Sequence, residues 1–385
     1  MERLHVAFFG PTNSGKSTLV NALAGQEVSL VSPLPGTTTD PVRKVIELPG
    51  LGPCVLIDTA GLGDVSALGA ERERLTRAIL DETDIAVILD APGVSPMSRN
   101  EGHWQQKPGE NAGNVPDFGT LAAQAGIPVI RYTRGESTAS LLERLVAAAP
   151  REEQKFLTGG LVQAGSSVLL VMPQDSEAPK GRLILPQVQV LRELLDRGCV
   201  PHCCTPDSLP AALESLSRLP DLTITDSQVF AQVNGALPED CPLTSFSVLL
   251  AAAKGDVRVF VEGARAIDAL RPGDRVLVAE ACTHVPDTED IGRVKIPAML
   301  RKKLGNGVRI DVVGGSDFPA ELSGYDLIVH CGACMFNRRF VLSRVEAARA
   351  AGVPMTNYGI LIAKLSGILD KVAFPNYMQS SAFVV

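Results

Sequence analysis

Residues 10–17 have the sequence GPTNSGKS, which indicates the architecture of the first part of this chain. It fits the pattern G-x-x-x-x-G-K-S, follows the apolar run 6–9 and leads directly into the helical run 18–23. A glycine-rich turn between a strand and a helix presents backbone N–H groups to phosphate oxygens. Lys16 supplies a positive charge to those oxygens, and the Ser17 hydroxyl is a ligand for Mg²⁺. The stretch therefore predicts a nucleotide-phosphate site on a parallel α/β sheet.

A second segment completes the predicted phosphate site. Asp58-Thr59-Ala60-Gly61 follows the apolar run 55–57. Its aspartate suits the surroundings of a bound Mg²⁺, and its glycine suits contact with a γ-phosphate. The predicted nucleotide-binding residues are Gly10, Asn13, Ser14, Gly15, Lys16, Ser17, Thr18, Asp58 and Gly61.

The loop PGTTTD at residues 35–40 is the candidate switch. Loops of this kind are ordered by Mg²⁺ and γ-phosphate and released after hydrolysis. Phosphoryl transfer depends mainly on positioning and on neutralisation of charge. We assign these tasks to Lys16, Thr38 and Gly61, and we find no side chain that is a convincing general base. These three are the predicted catalytic residues of a GTPase-type switch.

Apolar runs alternate with helical patterns along the chain, which is typical of parallel sheets with crossover helices. We predict an α/β fold, with a P-loop GTPase domain at 1–150 followed by two further α/β domains, at 158–250 and 256–385, with mainly parallel sheets. No repeat of fixed period is found, and we predict a long loop at 91–119. The predicted strands are 6–9, 55–57, 85–89 and 127–130 in the first domain, 167–172 and 222–225 in the second, and 257–260, 275–278, 309–313 and 327–329 in the third.

Bulk composition excludes some classes of protein. The apolar runs are too short or too interrupted to cross a bilayer, and a formal net charge of -7 without a Lys/Arg block argues against a large nucleic-acid footprint. The phosphate-binding motif already begins at residue 10, so we expect no leader peptide and a cytoplasmic location.

The cysteines indicate a metal site in the third domain. CTH at 282–284 and HCGAC at 330–334 each follow a predicted strand, so they can meet at one edge of a sheet. Thiolates and imidazoles suit iron-sulfur clusters or zinc, and a C-x-x-C pair can also be a redox dithiol. Zinc would take a closed set of four ligands. The predicted ligands are Cys282, Cys331 and Cys334, with His284 and His330 as a possible fourth ligand or as hydrogen-bonding support.

A second cysteine group follows the predicted helix 187–197. Cys199, Cys203 and Cys204, with His202, fall in what we predict to be a loop. Their spacing fits no standard ligand pattern, so we interpret them as ordinary thiols of a reducing compartment.

The phosphate motifs resemble those of the Era and MnmE group of GTPases, which share G-x-P-N-x-G-K-S and a G-T-T switch. The resemblance implies that Asn13 helps to hold K⁺ and that Thr38 is a ligand for Mg²⁺. The chain departs from this group after the run 127–130, where N-K-x-D is replaced by Arg131-Tyr132-Thr133-Arg134. Guanine specificity therefore does not follow from the sequence, and the segment 114–117, with the sequence NVPD, is a weaker substitute.

The chain as a whole resembles the iron-iron (FeFe) hydrogenase maturation GTPases, the HydF family. The specific stretches are APKGRLILPQ at 178–187, TDSQ at 225–228, EACTH at 280–284, DIGRVKIP at 290–297, HCGACM at 330–335 and TNYG at 356–359. The resemblance implies a GTPase domain, a central dimerisation domain and a C-terminal domain that holds a 4Fe-4S cluster on Cys282, Cys331 and Cys334. It also implies a homodimer that receives a diiron precursor made with two radical-SAM maturases and delivers it to apo-hydrogenase. An RNA-modification or ribosome-assembly GTPase with a structural zinc site is the alternative.

Overall fold

The computed structural model describes residues 3–11, 14–25, 41–59, 78–89, 118–150, 156–174, 181–281, 290–315, 317–334 and 336–375. The chain separates into two compact units, 1–151 and 152–385. Each unit is built on mainly parallel sheets flanked by helices, which confirms the predicted fold class. Within these ranges, no helix is long and apolar enough to span a membrane.

The described part of the first unit forms one five-stranded sheet in the order β2-β3-β1-β4-β5. All neighbouring strands are parallel except β2, which runs antiparallel to β3. Because side chains alternate along β1, Phe8 packs with helices α1 and α3, whereas Phe9 packs on the opposite face with α2. The elements are β1 (Leu4–Phe9), α1 (Lys16–Ala24), β2 (Val42–Leu48), β3 (Gly52–Asp58), β4 (Ile85–Leu89), α2 (Phe118–Gln124), β5 (Val129–Tyr132) and α3 (Thr138–Ala148).

The second unit contains two four-stranded parallel sheets, in the orders β7-β6-β8-β9 and β11-β10-β12-β13 within the described residues. The first comprises β6 (Ser167–Val171), α4 (Leu185–Asp196), β7 (Val200–Cys204), α5 (Leu209–Ser215), β8 (Leu222–Thr225), α6 (Phe230–Ala236), β9 (Leu243–Ser245) and α7 (Phe246–Lys254). After α8 (Val257–Ala266) come β10 (Arg275–Ala279), α9 (Ile296–Leu304), β11 (Arg309–Val313), β12 (Leu327–His330), α10 (Arg338–Ala350), β13 (Met355–Asn357) and α11 (Tyr358–Leu365).

These two sheets repeat one design, which we call the first repeat (167–254) and the second repeat (275–365). In each, the strand order is second, first, third, fourth, and the fourth strand leads straight into a buried helix. Asp221 accepts a hydrogen bond from the backbone N–H of Ser167, and Asp326 accepts one from Arg275, both at 2.8 Å. Identical residues occupy equivalent places in and directly beside the last strand and helix: Pro242 and Pro354, Thr244 and Thr356, Leu249 and Leu361, Ala251 and Ala363, Gly255 and Gly367. The spacing between equivalent positions differs from segment to segment, so the sequence has no fixed period.

The repeats meet through their equivalent helices, α7 and α11. A Cβ added at Gly359 would lie 2.0 Å from the Oγ of Ser247, the equivalent residue of the first repeat. Glycine is therefore needed for this close approach. Contact between equivalent residues is what a local twofold relation between the repeats produces.

Three details differ from the sequence predictions. The run 257–260 opens helix α8 instead of forming a strand, because Asp256 caps a helix by accepting the N–H of Arg258 at 3.0 Å. The segment 200–204 is the edge strand β7, not a loop. The predicted long loop at 91–119 lies largely outside the described residues, and its last two residues begin α2.

Candidate functional site

The phosphate loop lies between the end of β1 and the start of α1, as the sequence predicts. Gly15 is the residue before the helix and has a φ of 95°, a conformation that glycine adopts without steric cost. A Cβ on Gly10 would lie 2.7 Å from the carbonyl oxygen of Leu89 at the end of β4. The loop therefore passes so close to the neighbouring strand that only glycine fits at position 10.

Lys16 is buried, with 6% of its surface exposed. Its Nζ donates hydrogen bonds to the carbonyl oxygens of Gly10 (3.0 Å) and Pro11 (2.9 Å). Burial lowers the pKa of Lys16 to about 8, because it disfavours the charged form, and the negative charge of Asp58 opposes this shift. Phosphate oxygens would replace the two carbonyl oxygens as stronger, charged acceptors.

Ser17 and Asp58 are brought together as a divalent-cation site requires. The Ser17 hydroxyl donates to Oδ2 of Asp58 at 2.6 Å, and the carboxylate is fully buried. Its other oxygen, Oδ1, has no hydrogen-bond partner among the described residues. A buried carboxylate oxygen costs free energy unless it is paired, so this pair of oxygen ligands fits Mg²⁺. Thr59 fixes the end of β3 on β1 by donating to the carbonyl oxygen of Phe8 at 2.7 Å.

The other predicted residues of the nucleotide site divide into two groups. Ser14 is buried at the base of the loop, and Thr18 is exposed in the first turn of α1. Asn13, Thr38 and Gly61 lie outside the described residues, so their roles with K⁺, Mg²⁺ and the attacking water stay predictions.

The loop after β5 occupies the place where N-K-x-D was expected. The carboxylate there belongs to Glu136, and Arg144 donates to both of its oxygens at 2.7 Å. Ser140 donates to one of them as well, at 2.8 Å. This carboxylate is thus engaged by Ser140 and Arg144 of the following helix, α3. The alternative segment 114–117 lies outside the described residues.

Backbone N–H groups from two segments of the second repeat meet at the sulfur of Cys331, which directly follows β12. Its Sγ accepts hydrogen bonds from the backbone N–H groups of Ala281 (3.1 Å) and Ala333 (3.4 Å). Ala281 is the last described residue before Cys282. Ala333, with a φ of 45°, is the one non-glycine residue with positive φ in the described part of the chain.

Burial raises the pKa of the Cys331 thiol, and the two N–H donors oppose that shift. Cys334 is half-buried. Cys282 and His284 lie outside the described residues. The residues that the structure does describe contain no group of three or more His, Cys, Asp or Glu side chains that could hold a metal.

His330 is completely buried, and both of its ring nitrogens have partners. Arg344 lies 2.9 Å from Nε2, and the carbonyl oxygen of Cys331 lies 2.7 Å from Nδ1. Because a guanidinium can only donate, Nε2 accepts and Nδ1 carries the proton that it donates. Burial, and then the charge of Arg344, lower the pKa of His330 to about 3. Of the two roles predicted for His330, this geometry favours support of the cysteine loop.

The second cysteine group is spread over one edge of the first repeat. Cys199 is buried, whereas Cys203 is exposed on β7. Burial raises the pKa of Cys204 to about 11. These thiols stay predicted to be ordinary cysteines.

Sequence reasoning missed Lys254. This lysine ends the apolar helix α7 and reaches the cysteine loop, where its Nζ donates to three backbone carbonyl oxygens. The one signal in the sequence is a lone charged residue in the run FSVLLAAAK.

A phosphate loop of this geometry, at the end of the central strand of a mainly parallel sheet, defines a P-loop nucleotide-binding domain, and the family match gives its class as a GTPase. The family model described as 50S ribosome-binding GTPase matches residues 5–111. The models described as hydrogen maturase F dimerization domain and hydrogen maturase F tetramerization domain match residues 157–255 and 258–375. The chain belongs to the hydrogen maturase F family.

Curated relatives match a shorter part of the chain. A tRNA modification GTPase MnmE of Methylobacterium sp. (strain 4-46) is 40% identical over 157 residues, which is 38% of this chain and 34% of that protein. An MnmE of Myxococcus xanthus (strain DK1622) is 49% identical over 94 residues, or 23% of this chain and 20% of that protein. This chain therefore spans about a third or less of the length of these relatives.

Among solved structures, Era of Aquifex aeolicus bound to GDP and AlF4⁻ is 18% identical and covers 56% of this chain and 99% of its own. Its TM-score is 0.28.

Proposed function

We propose that this chain is a GTP-binding scaffold and carrier in the maturation of iron-iron hydrogenase. In this role it holds a 4Fe-4S cluster on Cys282, Cys331 and Cys334. It accepts the diiron precursor made with two radical-SAM maturases and delivers it to apo-hydrogenase. The dimerization and tetramerization domains support a homo-oligomer as the working form.

The convergence at Cys331 is the observation that carries this proposal. A sulfur that accepts two backbone N–H groups is stabilised as an anionic ligand. Soft thiolates suit zinc as well as iron-sulfur clusters, and membership of the hydrogen maturase F family favours the cluster. When bound by three cysteines, the cluster supplies one iron whose remaining coordination position can take another metal fragment. His330 supports the loop and is not a ligand in this proposal.

GTP acts as the switch. Ser17, Thr38 and Asp58 would hold Mg²⁺ and Asn13 would hold K⁺, and these ions would supply positive charge that neutralises the phosphates. In this proposal hydrolysis is slow and stimulated by K⁺. Bound γ-phosphate orders the residues around Thr38 and Gly61, which changes partner release. Exchange of GTP for GDP is expected to change the dissociation rate of the apo-hydrogenase complex in surface plasmon resonance. An unchanged rate would exclude this role of the nucleotide.

The test of the scaffold is anaerobic reconstitution with iron and sulfide, followed by EPR of the dithionite-reduced protein. The variants are Cys331→Ala/Cys334→Ala and, as the matched control, Cys203→Ala/Cys204→Ala, which removes two thiols from β7. We expect a reduced 4Fe-4S signal in the native chain and in the control, and none in the first variant. An equal signal in all three proteins would refute the ligand assignment, and zinc in the protein as isolated without cluster uptake would refute the scaffold.

A further inference from the structure

The ammonium group of Lys254 is enclosed by the loop that carries Cys331 and Cys334. Lys254 is 3% exposed. Its Nζ donates to the carbonyl oxygens of Ala333 (2.9 Å), Cys334 (3.2 Å) and Phe336 (2.6 Å). An ammonium group has three N–H donors, so each donor has an acceptor on this loop.

Such an arrangement stabilises one conformation of the loop. A buried charge is costly unless it is hydrogen-bonded, and three carbonyl groups pointing at one centre repel each other unless a cation lies there. Ala333 also has the strained φ of 45°. Lys254 and the loop therefore depend on each other, and loss of the ammonium group would release the loop.

The contact between α7 and the loop is reciprocal. Leu250, one turn before Lys254, faces Gly332, where an added Cβ would lie 4.0 Å from Cδ1 of Leu250. In the opposite direction, Arg338 at the start of α10 donates to the carbonyl oxygens of Ala253 (2.8 Å) and Gly255 (3.2 Å) at the end of α7. Each repeat thus supplies a cation that binds backbone carbonyl groups of the other.

We propose that Lys254 is a positioning residue for the metal site, through which the first repeat sets the conformation of the Cys331–Cys334 loop in the second. This inference rests on the proposed function for the identity of the metal group. The hydrogen bonds from Lys254 to the loop do not depend on that identity. A change that moves α7 within the dimerization domain would therefore alter how the two cysteines are presented.

The test uses the full chain as Lys254→Met, Lys254→Arg and the control Lys364→Met. Lys364 lies on α11 and pairs with Asp268 at 2.5 Å, so the control removes an ammonium group that does not bind the cysteine loop. In the metal-free protein we measure hydrogen exchange of the amides 331–336 and the alkylation rates of Cys331 and Cys334 by mass spectrometry. We expect both to rise about tenfold or more in Lys254→Met, the effect of losing charge-assisted hydrogen bonds, and to stay at the native rate in the control.

A second readout separates positioning from packing. In the reconstituted protein, Lys254→Met is expected to lower the midpoint potential of the cluster, because a buried positive charge stabilises the reduced form. Lys254→Arg retains the charge and is expected to restore the potential toward the native value. Native exchange and alkylation in Lys254→Met would overturn the proposal, as would an equal rise of exchange across both repeats. If the native chain takes up no cluster, the proposed function fails, while exchange and alkylation still decide the role of Lys254.

Discussion

The phosphate loop and the cysteine loop each follow a parallel strand, and in each a buried lysine donates to backbone carbonyl groups of the loop. Lys16 binds the carbonyl groups of Gly10 and Pro11, six and five residues away. Lys254 binds three carbonyl groups that lie 79 to 82 residues away, in the other repeat. The first lysine is part of the motif it supports, whereas the second comes from a different part of the fold.

The two lysines come from different parts of the fold, and their hydrogen bonds also serve different purposes. Burial disfavours the charged form of Lys16 and lowers its pKa to about 8. Phosphate oxygens, which are negatively charged, can replace its two neutral acceptors. The three bonds of Lys254 match its three donors. The phosphate loop is therefore built to exchange partners, and the cysteine loop is built to keep one conformation.

Removal of the two lysines should have the largest and most different effects. Lys16→Met is expected to weaken binding of MgGTP by about 100-fold or more, since bonds between an ammonium group and phosphate contribute ~3 kcal/mol. Lys254→Met, which also removes one buried ammonium group, is expected to leave this affinity within about twofold of native. Titration of each variant with a fluorescent GTP analogue measures both affinities. Equal losses would show that the two lysines do not act on separate sites.

Alanine at the glycines of the two loops should sharpen the contrast. Gly10→Ala places its Cβ 2.7 Å from the carbonyl oxygen of Leu89, so the loop must move, and we expect a loss of nucleotide affinity of about tenfold or more. Gly332→Ala meets its nearest atom, on Leu250, at 4.0 Å. We expect its unfolding free energy to change by less than about 0.5 kcal/mol. Nucleotide titration and thermal unfolding check the pair, and a tolerated Gly10→Ala would contradict the described approach to β4.

The pH dependence of nucleotide affinity should show that Lys16 exchanges its carbonyl acceptors for phosphate oxygens when the nucleotide binds. In the free protein the pKa of Lys16 is about 8, and bound phosphate raises it, because a nearby negative charge favours the ammonium form. Binding therefore takes up a proton above pH 8. We expect full affinity below that value and a fall that approaches about tenfold per pH unit above it. Calorimetry between pH 7 and 10 measures this fall, and Lys16→Met, lacking the titrating group, should lose the dependence.

Local patterns in the sequence predict much of both sites. The strand, turn and helix around residues 10–17 and the buried strand before Asp58 are found as predicted, because their apolar runs are contiguous and their glycines have specific steric roles. The ends of β10 and β12 likewise meet at one edge of a sheet. These features depend on residues that are close in sequence or on the general rule that parallel strands align their carboxyl ends.

Other features depend on partners that the sequence does not place. β7 (Val200–Cys204) contains Pro201 and lies half-exposed at a sheet edge, so it has neither an apolar run nor a full set of N–H donors. From the sequence alone, Lys254 is only the polar last residue of an apolar helix. Its contacts with the cysteine loop arise from the fold. The relation between the two repeats is hidden because insertions between their strands differ in length.

The smallest expected effect concerns the nucleotide base. The carboxylate of Glu136 is already engaged by Arg144 and Ser140, so guanine would have to compete with these donors for it. We expect MgGTP and MgATP to compete for the site with affinities within about tenfold of each other, because a single charge-assisted hydrogen bond would already contribute ~1.5–3 kcal/mol. Competition against a fluorescent GTP analogue measures the ratio, with Asp117→Ala as the comparison. A preference for GTP above about 100-fold that disappears in Asp117→Ala would instead assign guanine recognition to the segment 114–117. The nucleotide site would then combine the phosphate loop with a segment about 100 residues further along the chain.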